Sequence, residues 1–164
     1  MIYKIRIILD AEEDVFRDVA VEEEISLEDF HNVVVQAFGF AGNEMASFYT
    51  CNQNWEQDEE VALFDMGDAV EPPRLMNEVH LQEVMYADQP KLIYVYDYFN
   101  MWTFFIELAD VVEKEAGQQY PILLFSFGDM PAEPPEKNFE ADPEVDFDGS
   151  LDSYDDLDFD ENWN

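Results

Sequence analysis

His31, Asp97 and Asn100 are the residues whose types could combine into acid–base or metal chemistry. A general base or metal ligand at His31 would need the Asp97 carboxylate and the Asn100 amide beside it in one concave pocket. Each residue also has a plain structural role open to it. His31 falls on the apolar side of a helical pattern, where a histidine at the core edge bonds to backbone. Asp97 and Asn100 sit where a strand ends, and such residues shape turns by bonding local backbone. His80 lies in a mixed segment and reads as a surface residue. Two histidines far apart in sequence, with no Cys-x-x-Cys and no His-x-x-x-His, carry no zinc signature. Cys51 is the single cysteine, so no intramolecular disulfide can form, which fits a reducing compartment. Its neighbours Asn52, Gln53, Asn54 and Glu56 include no cation to activate the thiol. The sequence contains no nucleophile elbow, phosphate-cradling loop or dinucleotide fingerprint, and forty acids make chance carboxylate pairs inevitable.

A second pattern lies near the end of the sequence. Glu144, Asp146 and Asp148 alternate, Gly149 follows, Leu151 is apolar, and Asp155 stands twelfth. This spacing approximates a calcium loop, with Glu in place of the usual first Asp and Asp in place of the bidentate Glu. No helical pattern flanks it, and so acidic a segment produces the match readily. Phe147, Tyr154, Phe159 and Trp163, with Leu151 and Leu157, are threaded among the same acids. Aromatic side chains are costly in a purely solvating tail. They point to a short motif that folds on a partner or docks onto its own domain.

The charge balance decides which partners are electrostatically open. Seven Lys and Arg face 40 Asp and Glu, for a formal charge of −33. Residues 131–164 hold thirteen acids and one base, a charge of −12, which leaves −21 on residues 1–130. Affinity for nucleic acid rests on cations that displace counterions, so direct DNA or RNA binding is excluded here. Adsorption to anionic membranes is excluded for the same reason. Basic proteins and peptides are favoured partners, and the charge also serves solubility. The first residues lack the apolar run of a signal peptide, and no apolar run reaches membrane-spanning length. A cytoplasmic protein is expected.

These residues must be held by a core, and the 48% hydrophobic fraction is enough for one domain of 1–130 followed by the acidic, Pro-containing segment 131–164. Tyr3, Ile5, Ile7 and Leu9 alternate with Lys4 and Arg6, which predicts a strand with one buried side. Val15, Arg17, Val19 and Val21 alternate after a turn and complete a hairpin. Ser26 is placed as an N-cap, Leu27, Phe30, His31, Val34 and Phe38 follow at helical spacing, and Gly39 ends the helix. Residues 45–51 read as a strand, 52–60 as a polar loop, 61–64 as a short strand and 79–84 as a helical turn. Residues 91–98 predict a strand with Leu92, Tyr94, Tyr96 and Tyr98 on one face. A turn near Met101 leads to a strand over 102–112. The apolar run 121–127 reads as a central strand. The fold class is α+β: an antiparallel or mixed sheet with one main helix packed on it, plus the acidic tail.

Two blocks resemble a known family. Val15-Phe16-Arg17, then Ser26-Leu27, Phe30-His31, Val34, Ala37-Phe38-Gly39-Phe40 and Phe48, resemble the first half of the plasmid pRiA4b Orf-3-like family. Tyr96-Asp97-Tyr98 with Trp102 and Ile106-Glu107-Leu108 resemble its second signature, a Tyr-Asp-Phe-Gly-Asp-x-Trp-x-His-x-Ile stretch. The likeness spans about residues 1–128. It departs where Phe99 replaces Gly, Asn100 replaces Asp and Phe104 replaces His. The resemblance implies an α+β fold and little about activity. Some relatives carry a transposon-resolvase label, but the charge argues against a DNA-handling surface.

The residues therefore support three readings. The first is a non-enzymatic interaction module that meets a basic protein or peptide through an acidic surface, with His31, Asp97, Asn100, Trp102, Phe147, Tyr154, Phe159 and Trp163 as binding candidates. The second is a nucleic-acid mimic whose carboxylates imitate phosphates. The third is a hydrolytic or metal-dependent enzyme at His31 and Asp97. No cofactor is required; calcium at Glu144, Asp146, Asp148 and Asp155 is the one metal the sequence suggests.

Overall fold

The computed structural model describes residues 1–65, 67 and 72–132. Its framework is a mixed eight-stranded sheet in the order β5-β4-β3-β6-β7-β1-β2-β8. The strands are β1 (Ile2–Leu9), β2 (Phe16–Glu22), β3 (Ala46–Cys51), β4 (Gln57–Ala62), β5 (Arg74–Leu75), β6 (Lys91–Tyr96), β7 (Trp102–Val112) and β8 (Ile122–Phe127). All neighbouring pairs are antiparallel except the two-residue pairing of β4 with β5.

Helix α1 (Leu27–Phe38) packs on one face of the sheet. Ser26 caps it as its spacing predicts: the Oγ accepts from the Asp29 N–H at 3.0 Å. Such a cap stabilises a helix by about 1 kcal/mol. Gly39 closes the other end at φ 78°, a left-handed conformation that glycine adopts without penalty. Leu27, Phe30, His31, Val34, Val35 and Phe38 are buried from this helix. They meet Tyr3, Ile5, Ile7, Val19, Val21, Phe48, Leu92, Tyr94 and Phe104 from the sheet in the main core. A short turn of 3-10 helix (Met76–Glu78) and helix α2 (Leu81–Val84) complete the layer on this side.

The opposite face carries no helix among the described residues. Its buried part is a small cluster of Cys51, Ile93 and Val95, covered by Tyr49, Trp55, Tyr98 and Phe105.

Several expectations need correction. The polar stretch 52–60 is loop only to Glu56, because Gln57–Ala62 forms β4. Its first residues are exposed, so no apolar alternation announced it. Strand β6 stops at Tyr96 rather than at 98. Asp97 takes φ 65°, and this left-handed residue breaks the alternation. Tyr98 consequently leaves the face of Leu92, Tyr94 and Tyr96 and joins the opposite cluster. The run 121–127 is not a central strand. β8 pairs only with β2 among the described residues and lies at the edge of the sheet, with Leu123, Leu124, Phe125 and Phe127 exposed.

Candidate functional site

The turn between β6 and β7 places the first group of sequence-derived candidates. Asp97 Oδ1 accepts from the N–H groups of Phe99 at 3.2 Å and Asn100 at 3.4 Å, and its Oδ2 accepts from Asn100 Nδ2 at 2.6 Å. The carboxylate thus organises its own turn, and Phe99 at the tip is 93% exposed. Trp102 is buried at the start of β7 and packs edge-on against Phe40 at 5.3 Å.

His31 stands apart from that turn's hydrogen-bonding set. Its Nδ1 lies 2.6 Å from the Tyr94 hydroxyl, and the ring is buried. The partner is therefore a side chain on β6 rather than the backbone group expected. Burial lowers the His31 pKa below its ordinary value and raises that of Tyr94. Phe104, standing where the family signature has His, is fully buried between Phe38 and Tyr94. Polar groups at these positions are enclosed in aromatic packing. Among the described residues the His31 side chain hydrogen-bonds to Tyr94 and not to Asp97 or Asn100. The remaining candidates, Phe147, Tyr154, Phe159 and Trp163 for binding and Glu144, Asp146, Asp148 and Asp155 for metal, lie outside the described residues.

A surface the sequence did not reveal lies on the helix-free face. Register sets four charged side chains in a row: Lys91 on β6 stands opposite Glu107 on β7, Glu107 opposite Arg6 on β1, and Arg6 opposite Asp18 on β2. Directly opposed residues share a face, so the charges alternate in sign across four strands. Arg6 grips Asp18 with two bonds, Nε to Oδ1 at 2.8 Å and Nη2 to Oδ2 at 3.0 Å. This pairing raises the Arg6 pKa. The Arg6 guanidinium also lies over the Phe16 ring at 4.1 Å.

Beyond Asp18 the row becomes apolar. Asp18 faces Phe125 and Phe16 faces Phe127 on β8. The Phe16 ring stacks on Phe127 at 5.4 Å and tilts against Phe125 at 6.0 Å. Leu124, Phe125 and Phe127 remain 46%, 52% and 48% exposed. Lys4, Arg6, Lys91, Pro90, Leu108 and Leu124 help line a cavity of about 530 Å³ on this face. Asp18, Glu107 and Asp110 also line it, so it is locally neutral in a strongly acidic chain.

This strip is apolar, lies on a sheet edge whose outer side lacks a partner strand among the described residues, and is bordered by charged side chains. No signal in the sequence separates this edge strand from a central one. Pro121 precedes β8, but proline is tolerated at the entry of central and edge strands alike.

Residues 1–137 match the family described as plasmid pRiA4b ORF-3-like protein. No curated protein matches the sequence. The fold is similar to the crystal structure of a protein of unknown function, MM3350, from Methanosarcina mazei Go1. The TM-score is 0.68 at 17% identity, over 76% of this chain and 68% of that one. At that identity the likeness establishes the fold alone.

Proposed function

The chain belongs to the plasmid pRiA4b ORF-3-like protein family, and from that premise we propose that it is a non-enzymatic protein-interaction module whose docking surface is the apolar strip of β8 and whose partner is basic. The observation that carries this reading is the exposure of Leu124, Phe125 and Phe127 on an edge strand. An uncharged run such as Ile122–Phe127 is a hazard if left bare, because its edge can pair with any extended chain. An edge of this kind suits strand addition, in which backbone bonds supply affinity and alternate side chains supply specificity.

Charge selects the partner. The −21 of residues 1–130 attracts cations and repels polyanions, and this field fades over about 10 Å at 0.1 M salt. The enzymatic alternative draws little support, since His31 is bonded to Tyr94 and Asp97 to its own turn. The mimic alternative would need unbroken rows of carboxylates, whereas on the helix-free face cations alternate with acids. No helix is long and apolar enough to cross a membrane among the described residues.

Selection of displayed random peptides on the full chain tests the reading. Enriched peptides should combine Lys or Arg with apolar residues, and their binding should weaken with salt. The triple variant Leu124→Ser, Phe125→Ser, Phe127→Ser should bind them at least about tenfold more weakly. Enrichment without basic residues, or equal binding by the triple variant, would overturn it.

A further inference from the structure

We propose that in the free chain β8 pairs antiparallel with β8 of a second copy, Leu124 of one copy opposite Phe125 of the other, so that two sheets join into one. The inference uses the same edge as the partner reading and goes beyond it, naming the occupant when no basic partner is bound.

The order of faces along β8 is the first ground. Ile122, Phe125 and Phe127 stand opposite Ala20, Asp18 and Phe16. Those three belong to the helix-free face, where they in turn stand opposite Lys4, Arg6 and Ile8. Leu123 stands opposite Val19 of the main core, and Ser126 opposite Arg17, which reaches Ala37 in α1, so both lie on the helix side. The register shifts between Asp18 and Val19, which leaves Leu124 as an added residue. It lines the helix-free cavity with Arg6 and Asp18. From 122 to 127 the faces therefore run free, helix, free, free, helix, free, an order that is the same from either end. A copy centred between 124 and 125 puts Ile122 opposite Phe127, Leu123 opposite Ser126 and Leu124 opposite Phe125. Each pair then shares a face, as cross-strand packing requires. Under strict alternation every one of these pairs would fall on opposite faces. The bulge thus makes the strand complementary to itself at this register.

The second ground is charge. Each copy carries −33, yet no Lys, Arg, Asp or Glu occurs from Gly117 to Gly128. Asp18, one strand in from the seam, is already gripped by Arg6. Its counterpart in the copy lies three strand spacings away, about 14 Å. That exceeds the roughly 10 Å over which charges act at 0.1 M salt. The seam is neutral, and the repulsion between copies comes from more distant acids.

Size is the third ground. Leu123, Leu124, Phe125 and Phe127 are each about half exposed, on both faces of the strand. Half of such a side chain is on the order of 100 Å², so the eight of a pair offer at most about 800 Å². With the strand backbone this approaches the lower end of specific interfaces, about 1,200 Å². The pair is therefore an exchanging one, half-associated on the order of 10–100 μM. A basic peptide that adds to β8 competes with the copy, since one edge takes one strand.

The test is sedimentation of the full chain from about 1 to 300 μM at about 0.05 and 0.5 M salt. Dimer should accumulate with concentration and should strengthen at least about threefold at the higher salt, because like-charged copies are then screened. Binding of basic peptides has the opposite salt dependence. In a Cys51→Ser background, oxidising Leu124→Cys chains mixed with Phe125→Cys chains should give at least about fivefold more mixed disulfide than Ile122→Cys with Phe125→Cys. All three positions share a face, but only the first pair falls within the roughly 4.4–6.8 Å Cα separation that a disulfide spans. Leu124→Glu, an exposed change that sets two acids at the seam, should leave the chain monomeric. A parent that stays monomeric at the highest concentration and salt, equal linking by the two cysteine mixtures, or undiminished dimer in Leu124→Glu would each overturn the inference. The peptide selection separates the two readings. If the parent stays monomeric while the strip variant loses its peptides, only self-pairing fails. If the parent dimerises through the matched cysteines while the strip variant keeps its peptides, the partner reading fails and self-pairing stands.

Discussion

The Arg17 guanidinium donates to the Phe127 carbonyl at 3.0 Å, fastening the edge strand to the hairpin beside it. The same group reaches the carbonyls of Phe16 at 2.9 Å, Gly128 at 3.2 Å and, through Nε, Ala37 at 3.2 Å in α1. One side chain thus ties the end of β8 to β2 and the helix, and it lies over the Phe38 ring at 5.0 Å. It positions the strip that is proposed to bind.

Arg17→Met should therefore loosen β8 selectively. Hydrogen bonds from a charged donor contribute about 1.5–3 kcal/mol, and a loss in that range is expected from urea unfolding. Amide exchange should quicken in β8 and stay unchanged in β6. Uniform acceleration across the sheet would show that Arg17 acts only on global stability.

His31 should make stability depend on pH near neutrality. Burial lowers its pKa below the ordinary 6.5, so below that pH the unfolded chain takes up a proton that the folded chain refuses. Its contribution is full above 6.5, declines as pH falls from 6.5 to the lowered value, and levels off below it. Urea midpoints between pH 7.5 and 5 should fall less steeply in His31→Gln than in the parent. Parallel curves would remove the assignment.

Asp97 combines two demands, a left-handed backbone at φ 65° and an acceptor for the Phe99 and Asn100 amides. Asp97→Ala meets neither and should cost about 1–3 kcal/mol. Asp97→Asn keeps an acceptor, and Asp97→Gly relieves the backbone, so both should fall between. Thermal unfolding that ranks Ala equal to Gly would mean the backbone conformation contributes nothing.

Two glycines offer a matched comparison. At Gly128, φ 82°, an added Cβ would stand 2.3 Å from the Asp14 carbonyl oxygen, whereas at Gly117, φ 79°, it would meet nothing within 4 Å. Gly117→Ala should cost about 1–2 kcal/mol from backbone strain alone. Gly128→Ala adds a clash with main chain and should cost at least about 2 kcal/mol more. Equal melting temperatures for the two variants would contradict the close approach of residues 14 and 128.

By itself, the amino-acid sequence determined the elements whose signals are local. Alternation in β1 and β2, the Ser26 cap, the apolar face of α1 and the Gly39 stop need only neighbours within a few positions to be read. It also determined the electrostatic character, since that depends on composition and not on conformation. Tertiary structure alone decided which polar groups meet. His31 is enclosed with Tyr94 because helix and strand cross there, and Asp97 turns inward on its own loop because the backbone becomes left-handed at that residue. It also decided that Ile122–Phe127 lies at an edge. An apolar run reads the same in the middle of a sheet as at its margin. With no helix over that face and no second neighbouring strand among the described residues, Leu124, Phe125 and Phe127 stay in solvent.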